Sequence, residues 1–231
     1  MAFLNNPFFL LALTFVLFFF SRLLQKKTGV MLLNPILITI TLLIIFLEIC
    51  GIDYSTYQQA GQYIEFWLKP AIVALGIPLY LQLESIKRQL LPIMLSQLAG
   101  CVVGVVSVVL IAKAMGASQP IILSLAAKSV TTPIAMEVTK AIGGIPSLTA
   151  AVVVCVGLFG GIIGVKVMRL FRISRPQSQG LSLGAASHAV GTDTAMKISE
   201  VHGAYASLGL IINGLFTSLL TPFVLHWCGI V

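Results

Sequence analysis

Long apolar runs separated by short polar stretches dominate the pattern along the chain. Runs of about 20 residues, the length that crosses a bilayer as a helix, occupy roughly 7–24, 30–50, 63–83, 91–115, 146–168 and 204–228. Their apolar positions do not alternate with a period of two, as they would in the strands of a membrane barrel. The pattern therefore predicts an all-α polytopic membrane protein with about six full spans.

Two further segments, 121–144 and 181–203, are too polar to face lipid and too apolar to be aqueous loops. The loops at 51–62 and 116–120 carry no lysine or arginine, whereas eight basic residues follow the first, third and fifth spans: Arg22, Lys26, Lys27, Lys87, Arg88, Arg169, Arg172 and Arg175. The positive-inside bias places these eight in the cytoplasm only if 121–144 returns to the side from which it enters. We therefore predict two polar-broken re-entrant segments. The alternative is a protein of seven to eight spans with broken crossing helices.

The two polar segments belong to an internal repeat. At an offset of 60, residues 123–148 and 183–208 are identical at nine of 26 positions, where chance in this composition gives about two. We predict one integral membrane domain over 1–231, with N-terminal helices over 1–117 and a repeated unit, a broken segment plus a span, over 121–172 and 181–229. One true crossing per unit inverts the second copy, which is typical of secondary transporters.

Composition removes several classes of function. Hydrophobic residues make up 58% of the chain and charged residues 9%, with a mean hydropathy of +1.04, so there is too little polar surface for a soluble enzyme or a nucleic-acid binder. The net charge of +7 is the excess expected of cytoplasmic loops. The four cysteines have no CxxC spacing, and no catalytic motif is present. We expect no metal, no cofactor and no enzymatic activity.

Each polar segment contains a break, a short stretch where we expect the helix to be interrupted and where a ligand could bind. The first break is 128–133 and the second is 187–194. We expect a helix to restart at Pro133 with Thr132 as its N-cap, beside Lys128, and His188 aligns with Lys128 in the repeat. Two helix N-termini and a cation suit a small carboxylate. The predicted binding residues are Lys128, Ser129, Thr131, Thr132, Pro133, Ser187, His188, Gly191 and Thr192. The alternative is that the hydroxyls bond to their own helices and that Lys128 snorkels or pairs with Glu137.

Two residues of the second break are candidates for coupling transport to a proton or an ion. His188 is the side-chain type that titrates near neutral pH, and Asp193 is an acid close to it in sequence. The alternative for His188 is a structural, hydrogen-bonding histidine. We expect the two broken segments to approach from opposite sides and to bring Thr132 close to Thr192.

Several motifs resemble the LrgB/CidB family of bacterial inner-membrane proteins. They are KSVTTPIAM (128–136), AIGGIP (141–146) and ASHAVGT (186–192), with LNP (33–35) and PLY (78–80) upstream. The resemblance covers nearly the whole chain. The sequence departs from the family pattern at Ala127, where a proline is common, and at Asp193, where alanine is common.

This resemblance implies two functions. The family is named for holin- and antiholin-like control of murein hydrolase export and cell lysis. Members paired with a small LrgA/CidA-type membrane protein resemble pyruvate carriers, and a fused plastid relative is a glycolate/glycerate translocator. We predict a multi-pass carrier, or carrier subunit, for small monocarboxylates in the bacterial inner membrane, with an LrgA/CidA-type partner and homo-oligomerisation left open. The alternative is a regulator of murein hydrolase export and lysis.

Overall fold

The computed structural model describes residues 4–28, 33–74, 76–81 and 83–230, and its regular elements there are helices. They are α1 (Pro7–Thr28), α2 (Pro35–Cys50), α3 (Tyr54–Ala74), α4 (Gly76–Leu81), α5 (Leu83–Arg88), α6 (Leu90–Ala114), α7 (Gln119–Ala126), α8 (Thr132–Ala141), α9 (Pro146–Leu170), α10 (Pro176–Met196) and α11 (Glu200–Trp227). The chain divides into two compact units, Met1–Ala74 and Leu75–Val231. This boundary falls inside the region that we grouped as N-terminal helices.

Four of the described helices, α1, α6, α9 and α11, are long and apolar enough to cross a membrane. They confirm four of the six predicted spans. The second predicted span is represented by the 16-residue α2, whose rise of about 24 Å is shorter than a bilayer core; its predicted start at 30–32 lies outside the described residues. The third predicted span, 63–83, is divided among α3, α4 and α5. Residues 75 and 82 of this span lie outside the described residues.

The predicted polar loop at 51–62 is wrong from Tyr54 onward, because α3 begins there. Gly51, with φ of 62°, ends α2 in the left-handed conformation that favours glycine. Ala60 of α3 is buried, and the hydroxyl groups of Tyr57 and of Thr14 in α1 share a hydrogen bond at 3.1 Å. Contacts with α1 therefore order a segment whose polarity alone suggests a loop.

In the first unit, α1 packs against α2 and α3. Leu10, Ile52 and Ala60 form its buried core. The α1–α2 contact includes a hydroxyl pair, in which Thr39 donates to Ser21 across 3.3 Å.

In the second unit, α10 and α11 approach closely. A Cβ atom at Gly184 would collide with the carbonyl oxygen of Ala206, and one at Gly209 would lie 2.6 Å from that of Leu181. Small residues permit this backbone approach, as in other membrane helix pairs. Helix α6 packs on α11: Ile93 shares an apolar cluster with Tyr205 and Ile212, and Val105 and Val109 share one with Val224 and Leu225.

The segment containing α7 and α8 doubles back on itself. The backbone N–H of Ile145, after α8, donates to Ser124 Oγ of α7 at 2.8 Å, and Thr149 Oγ1 donates to the Ser124 carbonyl at 2.8 Å. A continuous helix would separate Ser124 from Ile145 by about 31 Å. We call this folded segment, residues 119–145, the first hairpin.

The segment containing α10 also doubles back. It is interrupted at His188, whose φ of 42° and ψ of −130° are not helical. His202 Nε2 at the start of α11 lies 3.0 Å from Gln179 Oε1 at the start of α10, although a continuous helix would separate the two residues by about 34 Å. We call residues 176–199 the second hairpin.

The two hairpins open at opposite ends of α9. The first closes against Ile145 and Thr149, at the start of α9. The second adjoins the far end, because Gln179 Nε2 donates to the carbonyl of Ile173 at 2.7 Å and Leu183 packs against Met168. Since the 25 residues of α9 rise about 37 Å, the tips of the hairpins point toward each other.

Candidate functional site

The breaks of the two hairpins meet at the middle of α9. Ala127 and Val130, from the first break, pack against Val153. His188, from the second break, has its Nε2 atom 2.9 Å from the Val153 carbonyl oxygen. Gly157, one turn further along α9, leaves room for the imidazole, since a Cβ there would lie 2.5 Å from His188 Cε1. Val153 is therefore a common contact of the two breaks.

Asn213 of α11 joins the same two breaks by hydrogen bonds. Its Nδ2 donates to the carbonyl of Ser129 at 3.2 Å and to that of Ala185 at 2.9 Å. One amide group thus satisfies a backbone acceptor freed by each interrupted hairpin, as interrupted backbone inside a membrane protein requires.

A cavity of about 400 Å³ lies between α6, α11 and the two hairpins, within the size range of small-molecule sites. Its lining combines small and polar residues: Ser96, Gln97, Gly100, Cys101, Gly104, Val105, Ala126, Lys128, Ser129, Ser178, Leu181, Ser182, Ala185, Ala186, Asn213 and Thr217. A Cβ at Gly100 or Gly104 would meet nothing within 4 Å. These two glycines of α6 therefore widen the cavity, rather than bring helices together.

Lys128 is the cationic residue of this cavity lining. Its Nζ donates to Ser129 Oγ at 3.1 Å, and no carboxylate of a described residue pairs with it: the ion pairs in that part of the chain are Lys87–Glu84 and Lys197–Asp193. Glu137, the partner considered from sequence, is exposed. A half-buried ammonium without a protein counter-ion favours binding of an anion.

Gln97 is a cavity residue that the sequence analysis did not select. It is only 4% exposed, and its Oε1 atom is buried without a hydrogen-bond donor among the described residues. The available signal was an amide in the middle of an apolar run, because polar side chains within membrane helices are expensive.

Of the nine predicted binding residues, the structure places Lys128 and Ser129 on the cavity. Thr131, rather than Thr132, is the N-cap of α8, and its side chain makes no capping hydrogen bond. Pro133 is exposed at the first turn of α8. Thr192 donates to the carbonyl of His188 at 2.9 Å, the local bonding named as the alternative. No hydrogen bond links Thr132 with Thr192 in the part of the chain that the structure describes.

The remaining residues of the second break are enclosed by neighbouring backbone. Ser187 and His188 are buried, and a Cβ at Gly191 would lie 2.7 Å from Ser187 Cβ. Gly191 thus permits the chain to fold back at the break. Asp193 lies at the surface, where it pairs with Lys197, and it does not line the cavity. A role for His188 or Asp193 in ion coupling stays a prediction.

Within the described residues, no group of three or more histidine, cysteine or acidic side chains could hold a metal ion. The polar groups of the cavity are instead an ammonium, amides and hydroxyls, which can bind a small oxyanion by charge and hydrogen bonds.

The sequence matches the model of the LrgB-like family over residues 14–227. It is 33% identical to the antiholin-like protein LrgB of Bacillus subtilis, over 97% of both chains. It is also 34% identical to the holin-like protein CidB of Staphylococcus epidermidis and 35% identical to CidB of Staphylococcus aureus, in each case over 94% of both chains. No solved structure matches it.

Proposed function

This chain belongs to the LrgB-like family of holin- and antiholin-like multi-pass membrane proteins, and we propose that it is a carrier, or carrier subunit, for small monocarboxylates such as pyruvate, glycolate or glycerate. The carrier changes no covalent bond of its substrate. It acts in the bacterial inner membrane, in contact with lipid and with a small LrgA/CidA-type membrane protein.

The observation that supports this proposal is the unpaired Lys128 on the cavity between the hairpins. A half-buried charge without a counter-ion is costly, and a small carboxylate entering the cavity would relieve that cost. The cavity has room for an anion of a few carbon atoms together with water, and its hydroxyl and amide groups can bond to the remaining oxygens.

The arrangement of the hairpins also supports a carrier. We propose that they are re-entrant segments of an inverted repeat, entering from opposite faces of the membrane. Equivalent positions make similar contacts: Ser124 bonds with Ile145, and Gly184, its counterpart at an offset of 60, meets Ala206, one residue beyond the counterpart of Ile145. Paired interrupted segments around a central site are a recurrent feature of secondary transporters.

A second candidate function is holin- or antiholin-like regulation of murein hydrolase export and lysis. The holin-like and antiholin-like names of the relatives from Bacillus and Staphylococcus favour this function over a carrier. The cavity and its unpaired lysine favour the carrier, because a regulator that acts through contacts on its surface has no need of them.

Replacing Lys128 tests the carrier. We expect Lys128→Gln to weaken anion binding about a hundredfold, the usual scale for removing one partner of a buried charge pair, and to abolish uptake of labelled pyruvate, glycolate and glycerate. Lys128→Arg should also impair uptake, because a planar guanidinium cannot replace a compact ammonium. Proteoliposomes with and without the LrgA/CidA-type partner provide the assay.

Lys140→Gln is the matched control, since Lys140 is exposed at the end of α8 and does not line the cavity. Its uptake should equal that of the wild type. Wild-type uptake by Lys128→Gln would refute the assignment of the site. If the wild type moves none of the three anions, yet both it and Lys128→Gln restore normal lysis in a deletion strain, the regulatory function replaces the carrier.

A further inference from the structure

The cavity between α6, α11 and the hairpins runs lengthwise along the helices, from one end of the second unit to its middle. Ser178, in the first turn of α10, and Ser96, in the second turn of α6, line it near that end. Helix α11 begins at the same end, since His202 bonds with Gln179. Thr217 of α11 also lines the cavity, and it lies about 25 Å from the start of that helix.

The two ends of the cavity differ in exposure. Ser96 and Ser182 are exposed and Ser178 is half-buried, whereas Val105 and Thr217, at the far end, are only 3% and 2% exposed. The cavity is therefore open beside the starts of α6 and α10 and closed near the middle of the unit. A small molecule can reach its interior from one end.

Two serines of the open part keep their hydroxyl groups free. Neither Ser178 nor Ser182 forms a side-chain hydrogen bond with another described residue. Other hydroxyls of α10 and α11 donate to a carbonyl of their own helix, as in Thr192, Thr194 and Ser207. That local bond is the one a hydroxyl makes in an apolar environment. Free hydroxyls on the cavity wall indicate an aqueous path.

Exposed cations surround the open end. They lie just before α6 or between α9 and α10, and they are Lys87, Arg88, Arg169, Arg172 and Arg175. Acidic residues are fewer there, and Glu84 and Asp193 already pair with lysines. Positive charge at the mouth of a cleft raises the local concentration of anions. The same charges assign this end to the cytoplasm.

An apolar barrier closes the far end of the cavity. Val105 and Ala126 line the cavity and belong to a buried cluster that continues with Val109, Ile122 and Leu225. Val109 and Leu225 are fully buried. A hydrated anion would have to lose its water to cross this layer, which is costly.

We propose that the cavity is a vestibule open to the cytoplasm, in which an anion passes Ser178 and Ser182 to reach Lys128, while the apolar barrier blocks the way to the outer face. The structure is then the inward-open state of the carrier. Lys128 lies at the inner end of this path, because Ser129 beside it bonds with Asn213 in the middle of α11. The inference rests on the proposed function, since it uses the same cavity and the same cation.

Labelling of single cysteines in oriented membrane vesicles tests the vestibule. The variants are made in the full-length chain without its own cysteines, and the probe is sulfonatoethyl methanethiosulfonate, an anionic thiol reagent that does not cross membranes. Ser178→Cys and Ser182→Cys should react in inside-out vesicles and not in right-side-out vesicles. Val109→Cys should react in neither, because water does not enter the barrier.

Ser107→Cys is the matched control for exposure to lipid. Ser107 is an exposed serine of α6 that does not line the cavity and donates to the carbonyl of Gly104 in its own helix. It should resist the reagent from both sides. Reaction of Ser107→Cys as fast as that of Ser182→Cys would overturn the inference, because the cavity would then offer no special access to water.

The charge of the probe tests the end of the path. Ser129→Cys places a thiol beside Lys128, and it should react about tenfold faster with the sulfonate reagent than with its trimethylammonium analogue. Adding Lys128→Gln should bring the two rates close together. Equal rates before that change would show that Lys128 does not attract anions in the vestibule and would overturn this part of the path.

The side of labelling decides the rest. Reaction of Ser178→Cys and Ser182→Cys only from the outside, or from neither side, would overturn the inference, and reaction from both sides would show that no barrier exists. Because labelling requires no substrate, its outcome is separate from that of the uptake assay. If labelling is as expected but proteoliposomes transport nothing, the carrier fails and the vestibule stands. If uptake is observed but labelling fails, the vestibule falls and the carrier stands.

Discussion

At the scale of single residues, the placement of His188 shows how a break is built. Its φ of 42° lies in a region that L-residues other than glycine rarely occupy, so the surroundings must hold it there. They do so through the Val153 carbonyl, which bonds its ring, and through the absence of a side chain at Gly157. His188 therefore holds the second break against α9, whereas Lys128, its counterpart in the repeat, lines the cavity.

Gly157→Ala tests this close approach. The new Cβ would lie 2.5 Å from His188 Cε1 and 2.7 Å from its Nε2, so we expect a loss of about 1–3 kcal/mol in the free energy of unfolding, as for other overpacked positions. Thermal unfolding in detergent micelles measures it. Gly61→Ala, in the first unit, is the control because a Cβ there meets nothing within 4 Å.

A double variant separates the imidazole from other causes. In a His188→Ala background the ring is absent, and Gly157→Ala should then cost much less than it does alone. An equal cost in both backgrounds would show that His188 is not what the new methyl group meets.

At the scale of elements, the sequence predicted the long helices more successfully than their ends and breaks. The runs that became α6, α9 and α11 are predominantly apolar over more than 20 residues, so burial and lipid both favour helix. In contrast, α8 begins one residue before the predicted start, with Thr131 as its N-cap, a difference within the usual uncertainty of helix ends. Helix α3 begins at Tyr54 and packs on α1 through Tyr57 and Ala60, a contact that a linear pattern does not contain.

The candidate site was predictable only where the sequence itself carried an anomaly. Lys128 is a charge inside an apolar region, and this signal singled it out as a binding residue; the structure places it on the cavity, and its role in binding stays a prediction. Gln97 belongs to another helix, and only the packing of α6 against the hairpins and α11 brings it to the same cavity. Thr192 and Gly191 are residue types that could bind an anion. However, the positive φ of His188 folds this part of the chain back, so that Gly191 faces the backbone of Leu183 instead of the cavity.

Asn213 of α11 forms hydrogen bonds with both hairpins, so replacing it should loosen both of them together. Asn213→Leu keeps the volume but leaves the carbonyls of Ser129 and Ala185 without their donor, so we expect a cost of about 1–3 kcal/mol. Hydrogen–deuterium exchange should increase at both breaks, residues 127–131 and 185–189. Ser218→Ala, an exposed position on the same helix, should change neither break. Faster exchange at only one break would show that Asn213 does not couple them.

At the scale of the whole molecule, the charge pattern and the hydrogen bonds of the first hairpin agree that the two ends of 121–144 lie near each other. The basic residues predict that the chain enters and leaves 121–144 on the same side. The hydrogen bonds between Ser124, Ile145 and Thr149 bring the two ends of that segment together. Because the second hairpin opens at the other end of α9, the charge pattern predicts that its two ends lie together on the opposite, cytoplasmic side.

Cysteine accessibility distinguishes this topology from crossing helices. In a cysteine-free background, Ser118→Cys and Ser147→Cys flank the first hairpin, and Ser174→Cys and Glu200→Cys flank the second; all four positions are exposed. We expect an impermeant thiol reagent applied outside intact cells to label the first pair and to reach the second pair only after the membrane is opened. Broken crossing helices require the two members of each pair to differ, since a segment of more than 20 residues would then carry them to opposite faces. Such a result would place the open ends of the hairpins on different sides of the membrane, and the hydrogen bond from Ile145 to Ser124 could not exist in the inserted protein.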